Sequence, residues 1–348
     1  PIHQDYFNYD PFEILNDPEI NVIVELIDDS EAAFLLVKKA LENGKAVVTA
    51  NKKMIAEHFQ ELLSLQETHQ VPLLYEAAVC ASIPIIRNLE EYYDNDLLEK
   101  IEGIINGSTN FILSKTHQAN LSFDEALALA QKLGFAESNP ALDTEGWDSK
   151  YKLIILIMHA FGVALEPHQI SHFGIDRINP LVLKLAKEKN WQIKLLGHAC
   201  RTKDQKLQAF VIPQFVSKKN LLHQVQNEYN GVLTQTSFSE KQFFMGKGAG
   251  AYPTASAVLS DISALSYDYK YEYKKKTQEE KPVLNNEHFL TVLIGYETKK
   301  GIPNSLKLSN IQEQFQNTEY AYTIADVELK NLSEVYLNHD FCVVMMEH

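Results

Sequence analysis

Cysteine is scarce in this chain. Cys80, Cys200 and Cys342 are far apart, odd in number and form no CxxC pair. That excludes a disulfide framework or a cysteine zinc site and suits a reducing, cytoplasmic compartment. Positive charge is also short: 32 Lys and Arg face 46 Asp and Glu, a formal net charge of −14. No basic stripe offsets that balance, so no nucleic-acid partner is expected, because phosphate binding needs basic patches. Lys274, Lys275 and Lys276 do cluster, but Glu279 and Glu280 follow at once, and the segment reads as a solvated linker. No apolar run reaches the length of a membrane span, and neither a membrane association nor a signal peptide is expected. A Gly-rich turn behind an opening strand is missing too. The chain begins Pro1-Ile2-His3, and its first strong strand, residues 21–27, has no strand–helix unit before it. An N-terminally truncated α/β domain is therefore expected.

What is present is ordinary for a globular protein: 348 residues, 45% hydrophobic and 22% charged, enough for two domains and a sizeable core. Residues 21–27 form a continuous apolar run suited to a buried parallel strand. Ala33, Leu36, Val37, Ala40 and Leu41 then follow the 3.6-residue period of a helix that Gly44 closes. Strands are predicted at 45–49 and 72–75, with a helix over about 52–68 between them. Repeated β-α-β units with short joints indicate a parallel sheet, and ligands bind at the carboxyl ends of its strands. From residue 79 the pattern changes to helices at 83–92, 107–118 and 148–161 around a strand at 98–105. Strands follow at 191–199, 207–213, 229–235 and 242–245. This is an α+β pattern. The expected organisation is a nucleotide-binding domain over 1–78, a substrate and dimerisation domain over 79–250, a returning helix over 251–266, a linker over 267–284 and a small α+β appendage over 285–348.

The run from Glu137 to Lys152 concentrates the chemistry. Glu137, Asp143, Asp148 and Lys152 stand six, five and four apart where a loop enters a long apolar helix. Asp148 and Lys152 share one helix face, and Asp143 is placed near the helix start, where the dipole favours a carboxylate. Carboxylates around one lysine can hold a small zwitterion and keep the lysine charged as a proton donor. The bland alternative is a surface salt bridge worth a few tenths of a kcal/mol. Met245-Gly246-Lys247-Gly248-Ala249-Gly250 opens a further helix, which suits close approach of a phosphate or nicotinamide. Cys80 is read as a buried packer, and His159 and His198 as core or hydrogen-bonded residues.

Together with Val48-Thr49-Ala50-Asn51-Lys52, Tyr75-Glu76-Ala77-Ala78-Val79 through Ile83-Pro84-Ile85-Ile86-Arg87, Gly103-Ile104-Ile105-Asn106-Gly107-Ser108-Thr109-Asn110 and 246–261, that run resembles homoserine dehydrogenase, over roughly residues 10–266. The resemblance implies a Rossmann-like domain whose first strand and Gly-rich loop are missing here, joined to an α+β substrate domain that also makes a homodimer. It implies reversible NADP- or NAD-dependent reduction of L-aspartate 4-semialdehyde to L-homoserine, on the route to threonine and methionine. By position, Lys152 resembles the general acid/base, Asp148 the carboxylate orienting substrate and lysine, and Lys52 a second lysine near the reacting carbon. Glu137, Asp143, Asp148 and Gly134 resemble the substrate site. Asp28, Thr49, Asn51, Lys52, Asn106 and Gly250 fall at the cofactor site. Glu76 with main-chain oxygens of Val79, Ala81 and Ile83 resembles a monovalent-cation site for Na+ or K+.

The sequence departs from that family at Cys80-Ala81-Ser82, where more glycine is usual, and at Asp28-Asp29, where glycines are common. The tail lacks the usual Gly-containing entry motif of a regulatory domain, so threonine feedback is left open. With no phosphate-cradling loop, residues 1–348 alone are expected to be nearly inactive and to expose a sheet edge or apolar surface. Two other readings stand: a dehydrogenase of a related amino-acid semialdehyde or hydroxy acid, and a non-catalytic amino-acid sensor.

Overall fold

The computed structural model describes residues 6–94 and 97–347; the opening Pro1-Ile2-His3 lies outside them. After a short helix α1 (Pro11–Asn16), strands β1 (Val22–Glu25), β2 (Ala46–Thr49) and β3 (Leu73–Leu74) make a parallel sheet in the order β1-β2-β3. Helix α2 (Ser30–Glu42) links β1 to β2 and buries Ala33, Val37, Ala40 and Leu41 of the expected stripe, with Leu36 half-buried beside them. Between β2 and β3 one helix was expected; there are two, α3 (Lys52–Glu57) and α4 (Phe59–His69), broken at His58. Strand β1 pairs with β2 alone among the described residues. Its outer edge borders an apolar groove of about 380 Å³ lined by Ile14, Ile20 and Val24, and Val24 and Leu26 are exposed. Among the described residues β1 is therefore an edge strand.

The chain then turns through a short helix α5 (Ile85–Arg87) and a π-helical turn, Asn88–Tyr92, where one continuous helix was expected. Strand β4 (Leu98–Ile104) runs into helices α6 (Gly107–Gln118), α7 (Phe123–Lys132), α8 (Ala141–Thr144) and α9 (Trp147–Phe161). Next come β5 (Ser171–His172), α10 (Pro180–Glu188), β6 (Gln192–Arg201), β7 (Lys206–Val216), β8 (Tyr229–Thr236), β9 (Glu240–Lys247) and α11 (Ala251–Leu265). Segment 267–284 ends in β10 (Val283–Leu284), and the appendage adds β11 (Phe289–Glu297), β12 (Ser309–Gln316), β13 (Tyr320–Glu328), α12 (Leu329–Tyr336) and β14 (Cys342–Met345).

One sheet runs through both regions in the order β12-β13-β11-β14-β7-β6-β4-β8-β9, with β5 and β10 also on β7. The β14–β7 pairing, Met345 opposite Gln214, joins the appendage to the larger part. Helix α9 packs on β6, β7 and α3. Every residue from Asp148 to Phe161 is buried, as a helix that is apolar nearly all round requires. That central position puts its charged first turn at the end of the parallel sheet.

Segment 267–284 differs from expectation. Tyr271 and Lys275 are buried, at 4% and 6% exposure. Tyr269, Tyr271 and Tyr273 supply aromatic surface that the charge count concealed, so the segment packs instead of floating.

Candidate active site

Three helix starts build the site. At the end of β2, Asn51 caps α3 by accepting from Met54 N at 3.0 Å, and its amide donates to Ile27 O at 2.8 Å. Lys52, the first residue of α3, is thereby fixed beside the ends of β1 and β2. Asn106 caps α6, accepting from Thr109 N at 2.7 Å. Gly146, at φ +92, turns the chain from α8 into α9 against Phe173, a conformation that favours glycine. Asp143 belongs to α8, not to the first turn of α9. Its placement owes nothing to the long helix's dipole, a correction to the expectation from spacing.

Asp148 stands at the centre. Lys152 Nζ lies 2.7 Å from its Oδ2, and Lys52 Nζ lies 3.1 Å from its Oδ1. Asn106 Nδ2 donates to Asp143 Oδ1 at 2.6 Å and to Asp148 Oδ2 at 2.8 Å. Lys152 also donates to Ile105 O at 2.9 Å. Burial pushes the Asp148 carboxyl up, but the two lysine charges and the hydrogen bonds from Lys152 and Asn106 outweigh it and hold it well below the carboxylate range. Burial first, then the charge of Asp148, pushes Asp143 up. Asp148, with help from Asp143 and Glu137, holds half-exposed Lys52 above the ordinary lysine value against its partial desolvation in the cleft. One ionised carboxylate thus serves two ammonium groups, and a second carboxylate waits beside it.

A cleft of about 800 Å³ opens here, lined by Asp28, Asn51, Lys52, Glu137, Asp143, Asp148 and Gly250 among others. Lys152 and Asn106 lie immediately behind Asp148. Thr49 is buried and bonded to Glu25 beneath the cleft floor. Gly134 closes α7 at φ +76, exposed, and does not line the cleft. Gly250, at φ +113, opens α11, whose N-terminus has no side-chain cap. Free amides at the start of a 15-residue helix facing the cleft suit an anionic cofactor. Tyr151 and Thr254 also line the cleft, and sequence reasoning missed both. Tyr151 precedes Lys152 directly; only the packing of α9 against α3 points it outward, with its hydroxyl 3.3 Å from Glu57 Oε1.

Comparison with known proteins gives the chain a family. The family model for homoserine dehydrogenase matches residues 84–263, and that for the homoserine dehydrogenase NAD binding domain matches 6–76. The chain belongs to the homoserine dehydrogenase family. It is 40% identical over 250 residues to homoserine dehydrogenase of Lactococcus lactis, covering 72% of this chain but 58% of that protein. A solved homoserine dehydrogenase from Thiobacillus denitrificans superposes with a TM-score of 0.83 at 28% identity, covering 97% of this chain and 85% of that one. A hyperthermophilic archaeal homoserine dehydrogenase in complex with NADPH superposes with a TM-score of 0.65 at 28% identity, covering 76% and 77%. The chain thus has the Rossmann-like NAD-binding domain and the catalytic domain of homoserine dehydrogenase.

The turn after β3 centres on Glu76. Glu76 is buried at 3% exposure and accepts the amides of Ile86 and Arg87, each at 2.9 Å. Burial nonetheless pushes its carboxyl up to about 8. Ala81 adopts φ +40, so the backbone enters the left-handed region at Cys80-Ala81-Ser82 despite carrying a Cβ. Cys80 is buried beside Asn230 and is a packer, and burial pushes its thiol up to about 11. His198 bonds Gln214 and His159 bonds Tyr75, both structural.

Proposed function

We propose that this chain carries the machinery by which the protein reduces L-aspartate 4-semialdehyde reversibly to L-homoserine with NADP or NAD, in the biosynthesis of threonine and methionine. The observation that carries the reading is the sharing of Asp148, on the cleft wall, by Lys52 beside it and Lys152 behind it. When bound, the nicotinamide supplies or takes the hydride. The chain's own residues do the rest. Hydride arriving at an aldehyde carbon leaves negative charge on oxygen, and Lys152 answers it with a proton. Asp148 holds that ammonium in place at 2.7 Å, and Lys52 adds a second cation beside the reacting carbon. Glu137 and Asp143 offer carboxylates to the substrate's amino group. Asp28, Asn51 and the start of α11 at Gly250 hold the cofactor, with Thr49 supporting from below.

The buried Glu76, an oxygen donor whose charge lacks full compensation, fits a monovalent cation completed by main-chain oxygens of Val79, Ala81 and Ile83. Such an ion would knit the crossover between the domains. We also assign the protein to a reducing cytoplasm, with its cysteines free, and to a homodimer formed through the substrate domain.

The test is the initial rate of NADPH and NADH oxidation with aspartate semialdehyde, using the full-length protein and its Lys152→Ala variant. Turnover that falls at least about a hundredfold in the variant supports both reaction and proton donor. Turnover that survives moves the donor to Lys52 or water. No turnover from a folded, cofactor-binding protein sinks the assignment and favours a related dehydrogenase or an amino-acid sensor.

A further inference from the structure

Residues 269–277 cross the seam between the nucleotide-binding region and α9, and a closed set of hydrogen bonds holds them there. Tyr273 Oη lies 2.9 Å from Tyr75 Oη, which lies 2.9 Å from His159 Nε2. His159 Nδ1 lies 2.5 Å from Glu90 Oε1. The other oxygen of Glu90 accepts the amides of Glu272 and Tyr273 at 3.1 Å. Tyr75 follows β3, His159 sits two turns beyond Lys152 on α9, and Glu90 belongs to the π-helical turn. With Nδ1–H donating to Glu90, Nε2 accepts from Tyr75, Tyr75 accepts from Tyr273, and Tyr273 accepts from Gln66 Nε2 at 3.4 Å. Every donor in that chain finds an acceptor.

Contacts at the surface repeat the pattern. Lys276 pairs with Glu67 of α4 at 2.7 Å, and Lys274 with Asp94 on the other side at 2.9 Å. Lys275 reaches the main-chain oxygens of Leu89 at 3.3 Å and His159 at 3.1 Å. Gly162, at φ +69, ends α9 so close to the segment that an added Cβ would lie 2.2 Å from Lys275 O. The backbone of this strap rests directly on the last turn of the helix that carries Lys152.

We propose that the strap sets the angle between the nucleotide-binding region and α9, with His159 and Tyr273 as positioning residues for the reaction at the far end of that helix. One region holds the hydride donor and the other the proton donor and substrate. Reacting atoms must meet at about 3–3.5 Å, and a misplacement of about 1 Å can cost about a hundredfold in rate. A joint that crosses the seam with directional bonds can hold that tolerance, whereas an apolar seam alone slides.

The test places spin labels at Glu42→Cys on α2 and Lys184→Cys on α10, both exposed, in a Cys200→Ser background of the full-length protein. The distance distribution between them is measured by double electron–electron resonance, beside kcat and KM. Tyr273→Phe and His159→Gln are expected to shift or broaden the distribution and to lower kcat about tenfold, with KM for the semialdehyde within about twofold. Because a buried variant can fail to fold, Lys274→Ala/Lys276→Ala, which alters only surface pairs, is measured as well and is expected to broaden the distribution in the same sense. An unchanged distribution in Tyr273→Phe and in the surface pair overturns the proposal. So does a changed distribution with unchanged kcat. The kinetic arm rests on the reaction proposed above, but the distance arm does not: a strap-dependent distance in a protein without turnover keeps the strap and sinks the reaction.

Discussion

Asn106 and Asp148, 42 positions apart, are joined by a 2.8 Å hydrogen bond that sets the cap of α6 against the first turn of α9. The same amide reaches Asp143 at 2.6 Å, so one neutral group holds two carboxylates in a common pocket. The lysines hold the Asp148 carboxyl well below the carboxylate range, while burial and the neighbouring Asp148 charge push Asp143 up.

Asn106→Ala removes the bridge and the cap together. Unfolding in urea is expected to show a loss of about 2–4 kcal/mol, the sum of a buried unmet partner and a lost cap. Activity is expected to fall more than the stability change explains, because Asp143 and Asp148 lose their fixed spacing. A variant with native stability and rate would remove Asn106 from the site.

Asp148→Asn leaves Lys152 buried without its carboxylate. Losing one partner of a buried pair costs about 3–5 kcal/mol, and the lower end is expected because Lys52 is 43% exposed and can find water. The sign with pH follows from the depressed value of Asp148. Its stabilisation is complete above the unfolded carboxylate value and is lost as pH falls through the lower folded value. The gap between wild type and variant should therefore be constant around neutral pH and close only in acid. A gap that widens in acid contradicts this electrostatic account.

For Glu76 the slope runs the other way. Its folded value is raised to about 8 from 4.5, so the folded state binds the extra proton and stability falls as pH rises between those limits. From pH 6 to 8 the wild type should lose about 2–3 kcal/mol more than Glu76→Gln in tetramethylammonium chloride. Sodium or potassium chloride should flatten that loss if a cation sits beside the carboxylate. Equal slopes in all three salts would reject the cation site.

Gly162→Ala tests the contact of the strap with α9 by equilibrium unfolding. Gly301 is its control, because it has nearly the same φ, +68, with nothing within 4 Å of an added Cβ. Gly301→Ala should cost about 1 kcal/mol from backbone conformation alone, and Gly162→Ala at least about 2 kcal/mol. Equal costs would mean that the strap yields freely.

Much of this was legible in the sequence for identifiable reasons. The stripe Ala33, Val37, Ala40, Leu41 has one helical solution, and the apolar runs around residues 22–25 and 46–49 have one parallel-strand solution. Asp148 and Lys152 are neighbours on any helix. The break at His58, the π-helical turn at 88–92 and the detachment of Asp143 onto α8 were not legible, because each is imposed by what packs beside it. Tyr151 entered the cleft unnoticed because one residue along a buried helix changes the face by about 100°, and no local pattern says which faces are lined.

The sequence by itself determined the family, the parallel and mixed sheets, and the set of charged residues that meets at the cleft. The sheets follow from periodicity, and the family and the charged set from the resemblance that several separate motifs carry together. Tertiary structure alone decided that Lys52, 96 positions before Asp148 in the chain, would share its carboxylate, that Asn106 would bridge two acids, and that a lysine-rich segment would become a strap. Each is a contact between distant segments, and its energy exists only once the intervening chain has folded to bring the partners within a few ångströms.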